Sequence, residues 1–174
     1  MRNRESTSSK RRIRKPVIIA AALILCFMIP AAAFFCLQGT GHLILENADT
    51  GEVYARYALH TGDTFSITFI HSVNKSPVSD CYELRRDGIY LVKTVYYGFG
   101  AGVMTDLEEG LELSYGEDGS MIVTGFDWKM DDLIYIVGSV SDHTLTFNDN
   151  DSEAVSLRDL CGRHAKVHFV WKKG

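Results

Sequence analysis

TFSITFIHSVNKSPVSDCYELR, residues 64–85, reads as two alternating runs joined by a polar turn. In the first run Phe65, Ile67, Phe69 and His71 share one face while Thr64, Ser66 and Thr68 take the other, the period of a half-buried strand. Alternation resumes in VSDCYELR. A chain that folds back between Asn74 and Pro77 would make the two runs a hairpin.

The same period recurs in HLILEN, EVYARYAL, GIYLVKTVYY, LELSY, SMIVTG, LIYIVG, HTLTF and KVHFVW. Turn-forming residues separate these runs: DTGE before Val53, RDG ending at Gly88, GEDG ending at Gly119, and NDND at 148–151. Only EAVSLRDLCG offers a turn or two of helix, stopped by Gly162. About ten short strands are too many for one flat sheet, so the predicted class is all-β, an antiparallel sandwich or partly closed barrel.

The 174 residues allow one domain of ordinary size and an appendage. That appendage comes first. Val17 to Leu37 carries no charge and follows KRRIRK, residues 10–15, which predicts one transmembrane helix with its basic head in the cytoplasm. A secretory signal cleaved after the alanines at 31–33 is the other reading, and both export the domain that follows. The predicted organisation is a basic cytoplasmic head at 1–15, an anchor or signal segment at 16–38 and an extracytoplasmic β domain at 39–174. The cell membrane is therefore the expected location, with secretion if the segment is cleaved.

Charge divides with this topology. Residues 1–15 hold seven Lys/Arg and one Glu, which leaves eleven Lys/Arg against twenty-one Asp/Glu for residues 38–174. An exported domain so acidic repels phosphate backbones, so no nucleic-acid partner is expected. Cys81 and Cys161 are the exported cysteines. Outside the cell they can pair, adding about 4–5 kcal/mol by closing a long loop, or each can pack as a small apolar residue.

His71 falls where the inward face of the first strand meets solvent, so its ring needs a partner there. Asp80 is the nearest acid if the chain folds back. With Ser72, Asn74, Lys75 and Pro77 these two residues make a candidate polar binding cluster; the plain alternative is a core-edge histidine bonded to a carbonyl. YYGFGAGVMTD sets glycines at 98, 100 and 102, with Ala101 between the last two. This spacing is not that of a dinucleotide loop, and DLEEG follows instead of an amphipathic helix, so a bulge or close backbone crossing at a sheet corner is expected. If that corner meets the turn, Gly98, Gly100, Ala101 and Gly102 join the cluster. His143 opens HTLTF in phase with Leu145 and Phe147 and is expected to point inward, whereas His168 is expected outside. NDNDSE lacks the glycine and the closing acid of a calcium loop and is expected to be a solvated loop. No C-x-x-C pair and no G-x-S-x-G elbow is present, and no metal, cofactor or catalytic residue is expected.

The order of segments, GDTFSITFIHSVNKSPVSDCYEL, then YYGFGAGV, then DHTLTF before a short terminal strand, resembles the small exported proteins grouped as domain of unknown function 1850. The resemblance covers most of residues 42–172. Its distinctive parts are H-S-V with a proline six after the histidine, and the G-A-G tripeptide. Glutamates are usual in that family where Asn74 and Asp80 stand here; Asp80 keeps the charge and Asn74 does not. Because its members are often encoded beside tripartite substrate-uptake transporters, the resemblance implies an accessory role at the envelope, with a membrane transporter or a small ligand as partner. A hydrolase-like enzyme using His71 as base and a structural envelope module are the alternatives.

Overall fold

The computed structural model describes residues 39–98 and 108–174. The predicted head and membrane segment, together with Gly100, Ala101 and Gly102, lie outside the described residues. Among the described residues no helix is long and apolar enough to cross a membrane.

Eleven strands are present among the described residues: β1 (Thr40–Asn47), β2 (Val53–His60), β3 (Thr64–Ile70), β4 (Pro77–Arg85), β5 (Gly88–Tyr96), β6 (Glu112–Tyr115), β7 (Met121–Met130), β8 (Leu133–Ile136), β9 (His143–Phe147), β10 (Asn150–Ser156) and β11 (Lys166–Lys173). Among the described residues one short helix, α1 (Leu157–Cys161), precedes the last strand. Two sheets form, ordered β2-β1-β11-β8 and β10-β9-β3-β4-β5-β7-β6, and every pairing is antiparallel. Since no strand is shared between them, the architecture is an open sandwich and not a closed barrel.

Alternation explains what the sheets hold between them. Leu43, Leu45, Val167 and Phe169 come from the smaller sheet and meet Phe65, Ile67, Tyr82, Leu84 and Leu145 from the larger one in one buried cluster. Phe65 lies at the centre, its ring stacked 5.1 Å from Tyr82 and 5.8 Å from Phe169. Each such side chain, fully buried, contributes about 1.5–3 kcal/mol of transfer free energy, so this cluster fixes which faces turn inward.

The β3–β4 hairpin forms as its pattern predicts, with Phe65 opposite Tyr82 and Phe69 opposite Val78. Helix α1 is capped at both ends: Ser156 accepts the amide of Asp159 at 3.0 Å, and Gly162 leaves the helix at φ 89°. Two expectations need correction. The alternation of SMIVTG predicts a strand that ends at Gly125, but β7 passes through Gly125 at φ 89° and continues to Met130. A side chain at Gly125 would come within 2.2 Å of the Gly110 carbonyl, so glycine there lets the strand kink without stopping.

Strand β10 also departs from the expectation. Residues 150–153, expected in a solvated loop, are its exposed first half, and the helix begins only at Leu157. Asn148 and Asp149 adopt left-handed φ values of 50° and 55°, which turns the chain back onto β9 in the tightest kind of hairpin. Pairing then jumps from Asn150–Phe147 to Val155–Leu145, leaving the intervening polar residues bulged at an edge. Turn geometry imposed this strand, since its own residues carry no alternation.

Candidate functional site

The predicted cluster separates into a surface turn and a buried network behind it. In the turn, the His71 amide donates to the Ser76 carbonyl and the Lys75 amide donates to the His71 carbonyl, both at 2.9 Å. His71 Nδ1 accepts the amides of Val73 and Asn74, each at 3.4 Å, so the ring caps the turn from inside much as an Asx side chain would. Lys75 completes the reversal at φ 55°. Ser72 and Lys75 are exposed and Asn74 half-buried. Their three-residue spacing is that of an S-x-x-K pair, but such a pair acts from one face of a helix, and here it straddles a tight turn.

Gly98 does meet this turn. A side chain built on it would stand 2.8 Å from Ser76 Cβ and 3.0 Å from its Oγ, and the neighbouring Tyr97 amide donates to the Pro77 carbonyl at 3.1 Å. The close approach at Gly98 is to the Ser76 side chain, beside the continuing β4–β5 pairing. Gly100, Ala101 and Gly102 are not among the described residues.

Asp80 is not His71's partner; among the described residues no hydrogen bond or ion pair joins them. Opposite Ile67 on the inward face, its Oδ1 accepts from Thr94 Oγ1 at 2.8 Å and its Oδ2 accepts from Tyr135 Oη at 2.9 Å. Tyr135 reaches across from β8 in the other sheet. With its proton committed to Asp80, it accepts in turn from Tyr82 Oη at 2.7 Å. Burial raises the Asp80 pKa above the ordinary carboxyl range, against the pull of the two hydroxyl donors, and it drives both tyrosines far up as well.

His143 lies beside this network, pointing inward as its phase predicts. Its ring stacks on Phe69 at 5.5 Å and meets Tyr135 edge-on at 5.7 Å. Nδ1 accepts the Gly138 amide at 3.3 Å, so the neutral ring carries its proton on Nε2. Burial lowers the His143 pKa, opposed by the Asp142 carboxylate. Tyr82, Thr94 and Tyr135 are the site residues that sequence reasoning missed. A signal existed: Tyr82 and Tyr135 sit at inward positions of their strands, and a buried tyrosine hydroxyl needs a polar partner.

The remaining candidates are peripheral. His168 faces outward as expected and lies 3.3 Å from Glu46 and 3.9 Å from Asp132. His164, four residues before it, occupies an exposed turn at φ 63°, so the spacing does not place two rings on one face. Cys81 and Cys161 are both free thiols. Cys81 is buried on the outward face of β4, while Cys161 packs in α1 near Tyr57 with its pKa pushed up to about 11 by burial, which leaves it a weak nucleophile.

What this arrangement can do is set by what is already paired. Both histidine Nδ1 atoms are taken by backbone amides, and the described hydrogen bonds include none from a serine, threonine or cysteine to a histidine. A family model described as domain of unknown function (DUF1850) matches residues 65–153, an interval that runs from β3 into β10 and includes the turn, Gly98, Asp80, Tyr135 and His143. No curated protein and no solved structure matches the chain.

Proposed function

The chain belongs to the family described as domain of unknown function (DUF1850), and within that family we propose that it works as a membrane-anchored, extracytoplasmic binding domain. Its binding end is the turn of residues 71–76 with the Gly98 corner. The partner is a membrane-embedded substrate-uptake transporter, for which the domain is an accessory. One observation carries the proposal: the polar residues nearest this end are spent on holding shape. His71 caps the turn, Gly98 abuts Ser76, and the Asp80–Tyr135–Tyr82 network ties the two sheets together just behind them. A rigid end that presents exposed Ser72, Val73 and Lys75 suits docking better than proton transfer. His71 as a hydrolytic base would need an acid to orient it, and Asp80 is engaged elsewhere.

A photo-reactive residue at Ser72 of the full-length protein in its native membrane tests this, with the same residue at exposed Ser152 as control. Cross-linking to an integral membrane transporter from Ser72 and not from Ser152 is the expected result. Equal capture from both positions, or none from Ser72, would overturn it.

A further inference from the structure

The outward face of the larger sheet holds a second polar feature that the turn and the Asp80 network do not use. Thr146, Ser66, Cys81 and Lys93 lie in register across β9, β3, β4 and β5, and Thr144, Thr68, Ser79 and Val95 form the next row. An outward sheet face normally leaves such hydroxyls in water, yet Ser66 is only 9% and Thr146 only 8% exposed. The covering is the β9–β10 hairpin. Lys93 Nζ on β5 approaches Asp149 Oδ1 to 4.0 Å, although β3 and β4 intervene. Three strand spacings amount to about 14 Å in a flat sheet, and side chains leaving a flat sheet at right angles would not meet over that distance. The β9–β10 turn therefore leans over this face toward β5, and a groove of about 170 Å³ lies there, lined by Ser66, Thr68, Ser79 and Thr146, by Lys93, Val95 and Tyr97 from the β5 side, and by Asp149 and Asp151 from the β9–β10 side.

We infer that this groove is a binding site for a single neutral sugar ring, free or at the end of a glycan. The donor and acceptor set matches a polyol. Thr68 Oγ1 donates to Ser79 Oγ at 3.0 Å, which leaves the Ser79 proton to be donated into the groove. Asp149 and Asp151 only accept, as vicinal hydroxyl groups require, and Lys93 only donates. Tyr97, half exposed, lines the groove and supplies an aromatic ring on which the C–H side of a sugar can pack. Two carboxylates against one ammonium group repel an anion, and among the hydroxyls and charges only Val95 and the Tyr97 ring give an apolar ligand anything to pack on. Size limits the ligand further, because the groove is smaller than the roughly 300 Å³ at which drug-sized sites begin.

The test is saturation-transfer NMR on the full-length protein in a detergent without a sugar headgroup, using methyl glucoside, methyl galactoside and maltose, with agmatine as a cationic control. A ligand of about a dozen non-hydrogen atoms in an open groove should bind with Kd on the order of 1 mM. Transfer to at least one glycoside is expected, weakened about tenfold in Tyr97→Ala and in Asp151→Asn, both exposed positions at which thermal unfolding should stay as in the parent. Preference for maltose over the single rings would mark a glycan end as the ligand, and the reverse a free sugar. Absence of transfer to all three sugars, transfer that both variants leave unchanged, or binding of agmatine alone would overturn the inference.

Discussion

Replacing Tyr135 by Phe removes one hydroxyl and leaves two groups without their partner, and the cost should depend on pH in a direction the site fixes. The hydroxyl gives Asp80 one of its two side-chain donors at 2.9 Å and takes the proton of Tyr82 at 2.7 Å. A bond to an ionised carboxylate contributes about 1.5–3 kcal/mol and a neutral one about 0.5–1.5 kcal/mol, so the variant should lose roughly 2–4 kcal/mol near neutrality. Tyr82, only 3% exposed, has no water to compensate it. Asp80 supplies the pH dependence. Its folded pKa lies above the unfolded value, so the unfolded chain releases the proton first, and stability falls as pH rises from about 4 through the folded pKa. Removing Tyr135 Oη takes away a donor that lowers this pKa, which extends the fall to higher pH. Urea unfolding of residues 38–174 at about pH 4 and about pH 7 should therefore show the larger loss at the higher pH, with m unchanged. A loss below about 0.5 kcal/mol at both values would mean that Tyr135 does not hold Asp80.

Gly98→Ala should cost about 1–3 kcal/mol, because the added methyl meets Ser76 Cβ at 2.8 Å, and a second change, Ser76→Gly, should restore most of it in thermal unfolding. His71→Gln removes a cap made of two long bonds, so about 0.5–1.5 kcal/mol is expected, with the Asp80-dependent slope of stability against pH left intact; a flattened slope would tie His71 to Asp80 after all. Residues 38–174 should fold alone into a soluble domain whose far-UV circular dichroism is dominated by strand. A start at Gly41 should be less stable, because it deletes the Gly39 carbonyl that accepts the Thr61 amide at 2.9 Å, and a mainly helical spectrum from either chain would refute the fold.

Period-two alternation by itself determined most of the architecture. Ten of the eleven described strands are legible in it because one buried face per strand is a local property of the chain, and a one-residue slip would expose every apolar side chain of that strand. Gly162 marks the end of the short helix for the same local reason. His143 could be placed inward and His168 outward from phase alone. The partner of Asp80 could not, since Tyr135 is 55 residues away in the other sheet, and which strands face each other is decided by how the whole core packs. Strand β10 was hidden because the Asn148–Asp149 turn, and not the pattern of its own residues, returns it to β9. The sugar-sized groove belongs to tertiary structure altogether: its hydroxyls read as ordinary outward positions, and only the approach of Asp149 to Lys93 across two intervening strands makes a groove over them.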